Sequence, residues 1–161
     1  MFGEWTALLP FFQWCDATFI GEWIRSKTWV FPVIETIHIL AMTVLYGSLI
    51  LINLRLMNIG MRKQPVSLLS RSLKPYVQSG IWIMLASGAM LFLSEAMKAY
   101  SNDGFHLKMM FLGSALLFQY TLWPMVTKRD SVPLALGWAT AMLSLILWFG
   151  VGVGGRAIGF V

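Results

Sequence analysis

The sequence predicts an all-α integral membrane protein: an up-and-down four-transmembrane-helix bundle preceded by an N-terminal interfacial amphipathic helix. Two observations predict it. Hydrophobic residues make up 58% of the 161 and charged residues only 12%, where a soluble domain has about 25% charged. The apolar residues also fall into four long runs separated by short polar stretches, each run near the roughly 20 residues that cross a bilayer.

Residues 1–28 form an arm. It is rich in aromatics but carries Glu4, Asp16 and Glu22. On a helical wheel Trp5, Leu8, Leu9, Phe12, Phe19, Ile20 and Trp23 share a broad face, the pattern of a helix lying in the membrane surface. Pro10 suits a helix start better than a helix interior. An irregular arm packed on the bundle is the competing reading. Trp5, Trp14, Trp23 and Trp29 look like an interfacial belt. The amino terminus lacks the basic stretch of a cleavable signal peptide.

Residues 29–161 form the bundle, with spans expected at about 29–53, 77–97, 105–123 and 133–153. The tetrad "SNDG" (101–104) makes a turn between spans two and three. Pro124 lies near the end of span three. In "KRDSVP" (128–133), Asp130 or Ser131 offers an N-cap to span four, with Pro133 in its first turn.

The loops set the orientation. Arg55, Arg62, Lys63, Arg71 and Lys74 lie between spans one and two without an acid, and Lys128 and Arg129 lie between spans three and four. Cations concentrate on the cytoplasmic side. In a bacterial inner membrane both termini and the 98–104 loop then face the periplasm. The net charge of +5 is thus an orientation signal and does not point to nucleic acid. Cys15 is the single cysteine, which excludes an internal disulfide and any Cys-based cluster.

Ionisable residues inside a span are costly and mark functional sites. "FPVIETIHILAM" (31–42) places Glu35 and His38 one turn apart. The other histidine, His106, begins span three. Odd-numbered spans run in one direction, so both histidines fall toward the periplasmic face at similar depth. Two imidazoles from two helices at one depth are what a bis-His haem needs. Gly150 and Gly154 at the end of span four, with Gly113 one heptad after His106, would let a large ring approach the backbone. Arg156, Arg25 and Lys27 are the cations expected for the haem propionates. Glu35 could accept the N–H of a ligating imidazole and so raise its basicity, or reach a neighbouring cation instead. Haem c is disfavoured because C-x-x-C-H is absent.

Each feature has other readings. The histidines can be polar links between helices, and the glycines ordinary packing contacts. A carboxylate-bridged di-iron site would use Glu35 and His38 with Asp103, His106 and Glu95. A copper(I) site would use His38, Met42, His106 and Met110, since thioether and imidazole suit that ion. Lys108, two residues past His106, points to a different face and reads as snorkelling to the headgroups.

"WVFPVIETIHILAMTVLYGSLILINLRLM" (29–57) resembles the first span of a group of uncharacterised bacterial four-helix inner-membrane proteins. Their pattern is a Pro, Glu-x-x-His, a small residue, then an acid or amide before Leu-Arg-Leu. The resemblance implies the fold and extends from Ile24 onward. More distantly the chain is similar to four-helix b-type cytochromes and to copper-resistance-type membrane proteins. Cytochromes of that kind often carry two haems on four histidines, and with two histidines this chain has ligands for one.

The expectation is therefore a membrane electron-transfer subunit holding one haem b between His38 and His106 near the periplasmic face. It would work with other membrane or periplasmic redox subunits, or as a homo-oligomer, and would not be a stand-alone enzyme. The alternatives are a copper-handling membrane protein and a metal-free structural or assembly subunit.

Overall fold

The computed structural model describes residues 5–159, and among them it contains helices and no strand. After a 3₁₀ turn at Trp5–Leu8 come α1 (Leu9–Asp16), α2 (Phe19–Ser26), α3 (Val30–Leu56), α4 (Val66–Ser94), α5 (Ala96–Tyr100), α6 (Asp103–Tyr120), α7 (Leu122–Thr127) and α8 (Leu134–Ala157). Four stretches, Val30–Leu56, Val66–Ser94, Asp103–Thr127 and Leu134–Ala157, are long and apolar enough to cross a membrane. The chain is a multi-pass membrane-type helical bundle.

Several boundaries differ from those read in the sequence, each for a local reason. The second span was expected from 77, but α4 begins at Val66, with Pro65 extended just before it (φ −61°, ψ 145°). Pro75 sits inside this helix. A proline interrupts a helix by leaving a carbonyl without its N–H partner. Here that carbonyl belongs to Arg71, in a polar turn where Ser72 and Lys74 are exposed, so water or headgroups can satisfy it. The loop before α4 shrinks to 57–65 and is held by its own cations. Arg55 Nε donates to the Gln64 carbonyl at 2.5 Å, and Arg62 Nε donates to the Asn58 carbonyl at 2.8 Å.

The third span breaks at Thr121 (φ −108°, ψ −75°) before α7. Pro124 is the cause, because its ring excludes the carbonyl four residues back, that of Tyr120. The fourth span takes Pro133 at its N-cap position without a side-chain cap. Asp130, expected as a cap, instead accepts from the Ser67 hydroxyl on α4. The helix then runs through its glycines to Ala157.

The arm is two short helices rather than one. Thr18 ends the first and caps the second by accepting from Gly21 N–H at 3.3 Å. Pro10 lies in the first turn of α1, as expected. The face that packs on the bundle is Phe12, Cys15 and Ile24, all buried, while Phe19, Ile20 and Trp23 are exposed. The predicted apolar face is therefore split, with its α2 members turned outward. Trp14 and Trp29 are also exposed. The side chain of Trp5, and Glu4, lie outside the described residues. Arg25 fastens the arm, donating to the Ser94 carbonyl at 3.0 Å and to Asp16, its ion-pair partner at 3.3 Å.

In the bundle α3 packs on α4 and on α8, and α6 packs on α8. α4 and α6 make no comparably close backbone approach. Leu45, Leu49, Ile52, Ile81, Ala115, Phe118, Ala141 and Val151 fill the centre. Small residues set the helix separations. A Cβ on Gly80 would lie 2.9 Å from Leu45 Cβ, and one on Gly137 would lie 2.3 Å from the Leu56 carbonyl oxygen. Buried polar side chains add interhelical links. Tyr46 Oη donates to the Trp148 carbonyl at 2.5 Å, and Asn53 Nδ2 donates to Ser144 Oγ at 3.2 Å. The two ends of the bundle are called below the histidine end (His38, His106) and the cationic end (residues 55–75 and 128–129).

Candidate functional site at the histidine end

His38 lies on the face of α3 that carries Ala41 and Leu45, three and seven residues on, and this face packs on α4. Its Nδ1 is 2.8 Å from Ser87 Oγ. A serine hydroxyl has one proton to give. Ser87 Oγ also lies 2.6 Å from the Ile83 carbonyl of its own helix. With the serine proton on that carbonyl, the imidazole carries its proton on Nδ1, donates to Ser87 and keeps the Nε2 lone pair. Gly88, the next residue, admits the ring: a Cβ there would sit 3.3 Å from His38 Cε1. Glu35 is exposed, and the partner that fixes the tautomer is Ser87 rather than Glu35.

α6 presents Gly104, Lys108 and Phe111 to α8. A Cβ on Gly154 would lie 2.9 Å from Lys108 N and Cα, one on Gly150 would enter the Phe111 ring, and one on Gly104 would lie 3.0 Å from Ala157 Cβ. Phe105 stacks on Phe92 of α4, centroids 5.3 Å apart. These contacts fix the rotation of α6. His106 stands two residues from both Gly104 and Lys108, so it is roughly 160–200° round the helix from each at 100° per residue. It is buried, edge-on to the Phe105 ring at 6.1 Å, and it projects from the side of α6 opposite α8. The residue of α6 that faces α8 is Lys108, whose stem runs along Gly155 with Cε and Nζ 3.7 Å from the place of a Cβ there.

The structure thus places His38 with Ser87 and Gly88 of α4, and Lys108 with Gly154 and Gly155 of α8. The glycines expected to make room for a ring are otherwise employed. Gly150 is filled by Phe111 and Gly154 by the Lys108 backbone, while Gly113 is exposed with nothing within 4 Å of a Cβ. The expected copper donors also separate: Met42 packs against the core, whereas Met110 is 60% exposed on the outside of α6. Of the di-iron carboxylates, Glu95 is paired with Lys98 at 2.8 Å and Asp103 is exposed. Among the described residues no three His, Cys, Asp or Glu side chains converge on one point. Arg25 is spent on Ser94 and Asp16, Lys27 is exposed, and Arg156 ends α8 exposed at this end.

Sequence reasoning missed Ser87 and misplaced Lys108. The first carries no signal in a serine-containing helix. The second could have been found by noting that Gly150 and Gly154, four residues apart, need partners on a facing helix, and that Lys108 and Phe111, three apart, also share one helix face. Residues 11–161 match a family of unknown function (DUF6644). No curated protein and no solved structure matches the chain.

Proposed function

We propose that this chain, which belongs to the DUF6644 family of unknown function, is a membrane electron-transfer subunit that holds one haem b at its histidine end with His38 as an axial ligand. The observation that supports it is the imidazole tautomer. A ligating histidine donates one ring N–H to an acceptor and offers the other nitrogen to the metal, and the Ile83–Ser87–His38 chain of hydrogen bonds leaves Nε2 in that state. Lys108, half-buried against α8 at the same end of the bundle, is the cation suited to a haem propionate, beside Arg156, Arg25 or Lys27. Haem b, when bound, supplies a reversible one-electron couple. The chain's own part is to hold the imidazole in one tautomer, set a positive charge near it and exclude bulk water. His106 is not required as the opposite ligand in this reading. The histidine end would face the periplasm of a bacterial inner membrane, since cations collect at the other end.

A second reading is favoured by the same pair. His38 and Lys108 are two bases at one end of the bundle, and neither makes an ion pair among the described residues. Without iron they would bind an anionic group or pass a proton. The absorption spectrum of the purified full chain separates the readings. A Soret band lost in His38→Ala and kept in His106→Ala supports haem on His38. Loss in both single variants would restore the His38–His106 pair. A colourless wild type favours the metal-free reading.

A further inference from the structure

We infer that the cationic end carries a lipid-headgroup site between α4 and the α6–α7 break, for a phosphate-bearing lipid whose headgroup also offers hydroxyls, as phosphatidylglycerol does. A cavity of about 490 Å³ lies there, and its mouth holds Arg71, Lys74 and Lys128. The break at Thr121 interrupts the wall on one side. Ile52, Val77, Ile81 and Trp123 line the inner part, a surface for the first methylenes of an acyl chain. Basic pockets between transmembrane helices on the positive side are suited to anionic headgroups.

The second observation is Gln119. It lines the same cavity, is 8% exposed, and its Oε1 has no hydrogen-bond partner. A buried acceptor left unsatisfied costs about 1–3 kcal/mol. An acceptor at the base of a cationic cavity calls for a ligand that combines an anion with a donor, which excludes bare phosphate as the best fit and selects a hydroxylated headgroup. The one acid nearby, Asp130, is engaged by Ser67 at the rim, so three cations face the cavity against one carboxylate. This site is independent of the reading of His38.

The test is lipid retention by the full chain in detergent, measured by native mass spectrometry with phosphatidylglycerol, phosphatidic acid, phosphatidylcholine and glycerol phosphate as probes. Phosphatidylglycerol is expected to be retained preferentially, and glycerol phosphate to compete poorly. Arg71→Gln with Lys74→Gln should weaken retention about 25-fold, two cations at roughly fivefold each. The matched pair Arg62→Gln with Lys63→Gln, on the adjoining loop, should change it less than about twofold. Gln119→Leu should erase the preference for phosphatidylglycerol over phosphatidic acid. Equal retention of phosphatidylcholine, or equal losses in the two double variants, would overturn the site in favour of general surface charge. Full competition by glycerol phosphate would overturn the lipid and leave a soluble phosphate ester as ligand. If the Arg71/Lys74 variant does not fold, the wild-type comparison of phosphatidylglycerol with phosphatidylcholine decides alone.

Discussion

Gly154→Ala tests the rotation of α6 on which the histidine-end site depends. The added Cβ would lie 2.9 Å from Lys108 N and Cα and 3.0 Å from its Cβ. Ordinary contact begins near 3.4 Å, so the two helices must part by about half an ångström, and the obstacle is backbone that cannot rotate away. Overpacking of this kind costs about 1–3 kcal/mol. Alanine also returns about 1 kcal/mol of helix propensity relative to glycine, so the net loss is roughly 0–2 kcal/mol. Gly113→Ala is the control. It carries the same propensity gain on the same bundle, yet nothing lies within 4 Å of its Cβ, so a gain of about 0.5–1 kcal/mol is expected. The difference between the variants, about 1–3 kcal/mol, then isolates the steric term. Thermal unfolding in one detergent, followed by circular dichroism, reads that difference directly. Equal melting of the two variants would refute the α6–α8 contact, and with it the placement of Lys108 against α8.

Gly137→Ala should destabilise more than Gly154→Ala, because its Cβ would meet the Leu56 carbonyl oxygen at 2.3 Å; the same melts check the order. Ser87→Ala should leave His38 Nδ1–H without its acceptor and cost about 1–2 kcal/mol; retention of full stability in thermal melts would remove Ser87 from the site. Burial pushes the Cys15 thiol above its ordinary pKa, so the fraction present as thiolate at neutral pH is smaller than for a free cysteine. Maleimide should therefore label it slowly in the folded chain at pH 7 and rapidly after denaturation, and fast native labelling would contradict the packing of α1. With Cys15 thus quiet, Lys63→Cys should be protected and Ser101→Cys reactive toward an impermeant reagent in intact bacterial cells; the reverse pattern would invert the orientation.

The spans were legible because length and hydropathy alone decide what crosses a bilayer. So were the shared end of His38 and His106, which follows from counting spans, and the helix-start role of Pro10. The boundaries at Val66 and Thr121 were less so, since Pro75 is carried within α4 whereas Pro124 breaks the third span, and the residues around each do not announce which outcome follows. What the sequence could not determine is which side of each span faces inward. In a soluble helix the apolar stripe answers that question. The membrane-spanning helices here are apolar on nearly every side: Leu40, Ile50, Leu117 and Phe149 face outward while Leu45, Ile52, Phe118 and Trp148 face inward. Lipid is as apolar as leucine, so burial between helices brings no hydrophobic gain, and rotation is settled by close backbone approach and by buried hydrogen bonds. Those terms belong to pairs of helices: Gly154 against Lys108, Gly88 against His38, Ser87 against His38. None exists until the helices meet, which is why the partners of Lys108 and His38 became visible only with tertiary packing.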